Sequence, residues 1–168
     1  MQKKNKILIL GIGNYLMGDE GIGVHVARRL QMEDLPFDVE IVDGGTGGFH
    51  LLQYFEDYNE IILIDATLDN FPVGTIRLIR PKFSNEFPKA MSTHDIGLKD
   101  MVSAIQLLGK MPVIHLFVVS IESLQQQGIE LTPGIENKVP ALLNQVKQLL
   151  AALQPARGKP AAGYLKAV

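Results

Sequence analysis

Ile7-Leu-Ile-Leu10 is a continuous apolar run that stops at Gly11. Being apolar on both faces, it suits a strand inside a sheet that is covered on both sides. From Gly21 onward Ile22, Val26 and Leu30 recur at every fourth position, which predicts a helix reaching about Leu30. Phe37 to Val42 alternates, with Val39 and Ile41 between Asp38 and Glu40, and predicts a second strand closed by Asp43-Gly-Gly45. Phe49, Leu51, Leu52 and Phe55 predict a short second helix, and Ile61 to Ile64 a doubly apolar third strand ending at Asp65. Gly74 to Ile79 alternates between Pro72 and Pro81, which fits an edge strand, where a proline interrupts no ladder. A loop rich in Pro, Ser and Asn follows, from Pro81 to about Thr93. Leu98, Met101, Val102, Ile105 and Leu108 then recur at helical spacing, and Gly109 can end that helix. Val113 to Val119 is the last strand. Thr132-Pro133 reads as an N-cap followed by a first-turn proline, ahead of the longest helical stripe, Ile135 to Leu153. Pro140 interrupts that stripe, so the helix either kinks or begins there.

The order is βαβαβ, then β, α, β, α. Strands alternating with helices predict a single three-layer α/β/α domain, with a twisted, largely parallel sheet of about five strands between helices. The expected domain covers residues 1–153. Residues 154–168 turn to Pro, Gly, Ala and Lys without periodicity and are expected to form a flexible tail.

Composition narrows the chemistry. The chain has 168 residues, 46% hydrophobic and 20% charged, which is ordinary for one globular domain and unlike a disordered chain. A net charge of −2 leaves no basic surplus, so no nucleic-acid partner is expected. There is no cysteine, which excludes a disulfide framework, a thiolate metal site and a cysteine nucleophile together. No run approaches the roughly 18 apolar residues of a membrane span. The apolar stretch behind Met1-Gln-Lys-Lys-Asn-Lys6 is too short for a signal peptide, so a cytoplasmic protein is expected.

Ligands of open α/β sheets bind outside the carboxyl ends of the strands. Acids stand at the first three of those ends: Asp19-Glu20 in the glycine-rich segment after strand one, Asp43 after strand two, and Asp65 after strand three. Each has a plain structural reading. Asp19 can cap the first helix, Asp43 can shape a turn before Gly-Gly, and Asp65 can close a strand. Convergence on one rim changes the balance, because clustered like charges repel unless something positive joins them. A divalent cation is the simplest such partner. Among the four histidines, His25 and His50 fall in helices, and His115 falls in a strand as a core or sheet-face residue. His94, in Ser92-Thr-His-Asp-Ile-Gly97 at a loop-to-helix junction, is read either as a loop side chain or as a ligand. Oxygen, oxygen and nitrogen ligands from Glu20, Asp65 and His94 would suit nickel, zinc or manganese, with positions left open for substrate.

Competing motifs are incomplete. Gly11-x-Gly13 opens a dinucleotide fingerprint, but Leu16 stands where its third glycine belongs, and Asp19 and Glu20 occupy the approach a pyrophosphate needs. The sequence has no Gly-x-Ser-x-Gly elbow, no His-Glu-x-x-His and no Gly-Lys-Ser/Thr phosphate loop.

Gly13-Asn-Tyr-Leu-Met-Gly-Asp-Glu-Gly-Ile-Gly23, Asp43-Gly-Gly-Thr46, Ile64-Asp-Ala66, Thr93-His-Asp-Ile-Gly97 and Leu131-Thr-Pro133 together resemble the hydrogenase maturation endopeptidases. The resemblance covers about residues 5–153. It implies a phosphorylase/hydrolase-like fold and an endopeptidase that removes a short C-terminal peptide from the nickel-loaded large-subunit precursor of a nickel–iron hydrogenase. It also implies metal contacts by Glu20, Asp65 and His94, and an acid important for activity at Asp43. Nickel is the implied metal, supplied by the enzyme or by the substrate, with zinc or cadmium able to substitute. The family is often grouped with aspartic-type endopeptidases, although the paired Asp-Thr-Gly of pepsin-like enzymes is missing here. The implied partner is the hydrogenase precursor, and a monomer is expected. Two other classes stay open: a nickel-sensing chaperone without proteolysis, and another α/β hydrolase of related fold.

Overall fold

The computed structural model describes residues 4–88, 98–109, 111–122 and 127–153. His94 and the expected tail at 154–168 lie outside the described residues.

Five strands form one sheet: β1 (Lys4–Gly11), β2 (Val39–Asp43), β3 (Tyr58–Thr67), β4 (Ile76–Ile79) and β5 (Val113–Ser120), in the order β2-β1-β3-β5-β4. The first three strands and β5 run parallel, and β4 pairs antiparallel with β5 at one edge. Among the described residues five α-helices accompany the sheet: α1 (Ile22–Gln31), α2 (Leu52–Asp57), α3 (Leu98–Leu107), α4 (Pro133–Glu136) and α5 (Val139–Leu153).

The continuous apolar runs have a direct physical cause. Ile7 and Ile9 of β1, with Ile62 and Ile64 of β3, pack under Ile22, Val26 and Leu30 of α1 and Val139, Leu142 and Val146 of α5. Leu8 and Leu10, with Ile61 and Leu63, point the other way, to Phe55 of α2 and Val102 and Ile105 of α3. Because side chains alternate across a strand, a strand with helices on both faces must be apolar at every position. The three-layer α/β/α expectation therefore holds. Among the described residues no helix is long and apolar enough to cross a membrane.

Several boundaries differ from the sequence reading. β3 does not stop at Asp65 but runs on to Thr67, which pairs with Ser120. Asp65 is thus a strand residue, its backbone fixed by the ladder to β5. β2 begins at Val39 rather than Phe37, because the Val39 amide turns back to the Phe37 carbonyl at 3.0 Å. α5 starts at Val139, so Pro140 occupies its first turn, where the missing amide interrupts no helical bond, and the helix begins here rather than kinking. Gly109 closes α3 with φ near 67°. Thr132 is the N-cap of α4, but no side-chain capping bond forms there. Its hydroxyl is engaged elsewhere.

Candidate active site

β1 leads into α1 on one face of the sheet and β2 leads into α2 on the other, so the chain reverses direction across the sheet around β1. In such sheets a crevice opens outside the carboxyl ends of the strands where the order reverses, here between β1 and β3. Small residues let the segment after β1 settle directly into it. A Cβ added to Gly23 would lie 2.1 Å from the Ile64 carbonyl oxygen and 2.3 Å from that of Ile12. One added to Gly13, whose φ is 146°, would lie 2.0 Å from the Glu20 carbonyl oxygen. The Ile12 amide donates to the Ile64 carbonyl at 2.8 Å. A 3-10 turn, Gly18–Gly21, therefore rests on the ends of β1 and β3, and Glu20 and Asp65 are carried to the same end of the same strand pair.

Both acids are buried, Glu20 at 3% and Asp65 at 1% relative exposure. An Asp65 oxygen accepts a hydrogen bond from the Ala66 amide at 2.8 Å. Glu20 Oε1 is buried and has no hydrogen-bond partner among the described residues. A buried carboxylate oxygen without a donor is costly, so this arrangement favours a cation or a donor arriving from outside. The oxygen-rich pair fits a divalent metal. Among the described residues no group of three or more His, Asp or Glu side chains is placed to hold an ion, and the expected third ligand, His94, lies outside them.

Asp43 sits on the rim but stands apart from that pair. Gly11 of β1 separates the strands, pairing with Asp43 on one side and Ile64 on the other. Two strand spacings put the Asp43 and β3 backbones about 10 Å apart. The Asp43 carboxylate is well held. Its Oδ1 accepts from the Gly45 amide at 2.9 Å, and its Oδ2 accepts from Arg28 Nε at 2.8 Å and pairs with Nη2 at 2.8 Å. The turn-shaping reading is thus realised together with an ion pair. The Asp43 bond raises the Arg28 pKa above its ordinary value. The guanidinium also lies 3.9 Å over the Tyr15 ring, and Tyr15 leans on His25.

Asp19 does not cap the first helix. The turn that opens there has no side-chain capping bond, and Asp19 instead accepts from the Thr132 amide at 2.7 Å and the Thr132 hydroxyl at 2.8 Å. The sequence reading assigned no role to Arg28, Tyr15 or this tie to Thr132. Asp19 and Thr132 lie 113 positions apart, so spacing carried no signal for their contact. His25 is half-buried, with Nε2 at 2.9 Å from the Ile129 carbonyl, and His50 is exposed. His115 is a buried sheet-face residue paired with Glu60 at 3.0 Å, toward the opposite end of the strands.

The fold and motifs have close counterparts. A family model described as hydrogenase maturation protease matches residues 24–149. The chain is 37% identical over 153 residues to the hydrogenase 2 maturation protease of Escherichia coli, covering 89% of this chain and 91% of that protein. It is 35% identical over 154 residues to the hydrogenase expression/formation protein HupD of Bradyrhizobium diazoefficiens, covering 88% of this chain and 79% of that one. The structure of the E. coli hydrogenase maturating endopeptidase HybD superposes with a TM-score of 0.77 at 37% identity, over 90% of this chain and 94% of that one. With the five-strand sheet and the buried acids at its crevice, these matches show that the chain belongs to the hydrogenase maturation protease family, whose chemistry is peptide-bond hydrolysis.

Proposed function

We propose that this protein removes a short C-terminal peptide from the large-subunit precursor of a nickel–iron hydrogenase after nickel has been inserted. The observation that carries the reading is the buried Glu20 carboxylate, whose Oε1 has no partner among the described residues, at the same end of the β1–β3 pair as Asp65. Glu20, Asp65 and His94 would meet the nickel of the precursor, which makes the metal part of the substrate. Zinc or cadmium would fit the same oxygen and nitrogen donors. The Glu20 oxygen is already out of water in the free protein, and a precursor without metal would bring it nothing to bind. A loaded precursor would relieve that cost, about 1–3 kcal/mol for a polar group and more for a charge, which is about five-fold or more in affinity. Metal occupancy thereby licenses the cut.

In the hydrolysis, a water oxygen bonds to the scissile carbonyl carbon, the C–N bond breaks, and the departing nitrogen takes a proton. Asp43 is the proposed proton acceptor. Arg28 and the Gly45 amide hold its carboxylate in a fixed orientation. An acid acting as base gives the aspartic-type assignment its meaning in this chain. We place the reaction in the cytoplasm and take the enzyme to act as a monomer.

The test is the intact mass of a cognate precursor incubated with the protein, nickel-loaded and nickel-free in parallel. A small C-terminal mass loss in the loaded sample alone is expected. Glu20→Gln and His94→Ala should abolish it while circular dichroism stays unchanged. Binding without any mass loss would replace the protease by a nickel-sensing chaperone.

A further inference from the structure

Asp19 is the immediate neighbour of Glu20 and is as deeply buried, at 2% relative exposure. Both of its carboxylate oxygens bond Thr132: Oδ1 takes the backbone amide at 2.7 Å and Oδ2 takes the hydroxyl at 2.8 Å. Thr132 is the N-cap of α4, a position where a threonine hydroxyl ordinarily serves the helix itself. Here it makes no capping bond, so the hydroxyl goes to the acid loop in place of its own helix. The same two segments are tied again on either side. The Gly18 amide donates to the Gly128 carbonyl at 2.7 Å, and the Gly128 amide donates to the Leu16 carbonyl at 2.8 Å. His25 Nε2 meets the Ile129 carbonyl at 2.9 Å. Beneath this, the Glu20 carbonyl presses on Gly13, with no room for a side chain between them.

We infer that Thr132, acting through Asp19, is a positioning residue that fixes where the Glu20 carboxylate points. The inference rests on the proposed role of Glu20 toward the metal of the precursor. Glu20 Oε1 has no hydrogen bond among the described residues to hold its direction, so its placement falls to the backbone that carries it. That backbone is pinned from below by Gly13 and from the side by the Asp19–Thr132 pair. Two hydrogen bonds to one ionised carboxylate are short, directional and stronger than neutral ones. Metal ligands and catalytic groups need placement to within about half an ångström, which such supporting bonds provide.

Thr132→Val keeps the shape and the backbone amide and removes only the hydroxyl bond. Thr132→Ser restores that bond. With nickel-loaded precursor, Thr132→Val should lower kcat at least ten-fold, with KM within about two-fold and the thermal midpoint within a few degrees of the parent. Thr132→Ser should regain most of the rate. The 13C resonance of the Glu20 side-chain carboxyl, read in the free protein, should move in the valine variant and return in the serine variant. A valine variant that processes at the parent rate overturns the inference. So does a serine variant that fails alongside valine, with both losses tracking the thermal midpoint, or a Glu20 resonance unmoved by either. Where valine does not fold, Asp19→Asn fits the same space with neutral bonds. It should lower kcat several-fold and shift the Glu20 resonance, and an unchanged protein overturns the inference. If the parent itself leaves the precursor intact, the protease reading fails, and the carbon resonance alone decides the role of Thr132.

Discussion

Adjacent residues of like charge have separate fates in this protein. Asp19 and Glu20 are both buried, yet Asp19 bonds Thr132 through both oxygens while Glu20 Oε1 has no partner among the described residues. Local sequence offered Asp19 a helix cap and Glu20 a metal contact, but it gave no sign of Thr132, because that partner of Asp19 comes from the far end of the chain. His25 shows the same limit. Its helical position was legible, but its contacts with Tyr15 and the Ile129 carbonyl were not. Burial lowers the His25 pKa below 6.5, and Arg29 and Arg28 lower it further, against the opposing Ile129 bond and the Glu136 charge. A histidine with a depressed folded pKa stays neutral while the unfolded chain already takes up a proton. Its contribution to stability is therefore present above the unfolded value of 6.5 and is lost as pH falls through the lower folded value. Urea midpoints measured from about pH 7.5 to 5 should fall less steeply for His25→Gln than for the parent. Equal slopes would assign the acid sensitivity to other groups.

At the scale of elements, the glycine-rich segment after β1 works as a packing device. Gly23 lets α1 touch the carbonyls of Ile12 and Ile64, so an added methyl group must push the helix off the sheet. Gly23→Ala should cost about 3 kcal/mol or prevent folding, the scale of a badly overpacked site. Gly134, in α4, meets nothing within 4 Å of an added Cβ. Gly134→Ala should leave stability unchanged or raise it by about 0.5 kcal/mol, because it restricts the unfolded chain. Comparable losses in the two variants, measured by chemical denaturation, would show that close packing at Gly23 is not what the segment supplies. Element types were readable because burial on both faces or on one face leaves different periods. Element ends were less so. A charged residue such as Asp65 looks like a terminus, yet pairing with β5 carries β3 past it to Thr67. Pro140 left two readings open, and only the start of α5 at Val139 decided between them.

For the whole molecule, stability comes from two apolar cores, one under α1 and α5 and one under α2 and α3. Nothing in that packing depends on an ion, and in the proposed reaction the metal arrives with the precursor. Millimolar chelator should therefore leave the thermal midpoint of the free protein unchanged within about a degree. A fall of several degrees would mean a resident metal that stabilises the fold by binding only the native state. The amino-acid sequence by itself determined the layered α/β architecture, the edge position of β4 and the acids at the strand ends, because hydrophobic period and glycine placement are local properties. Tertiary structure alone decided the rest: that Asp19 bonds Thr132, that Arg28 holds Asp43, and that Glu20 is buried with one oxygen unpartnered among the described residues. The first two join residues that are separated along the chain, and only the packing of α1 and its preceding turn against the end of β2 and the segment before α4 brings them within hydrogen-bond reach.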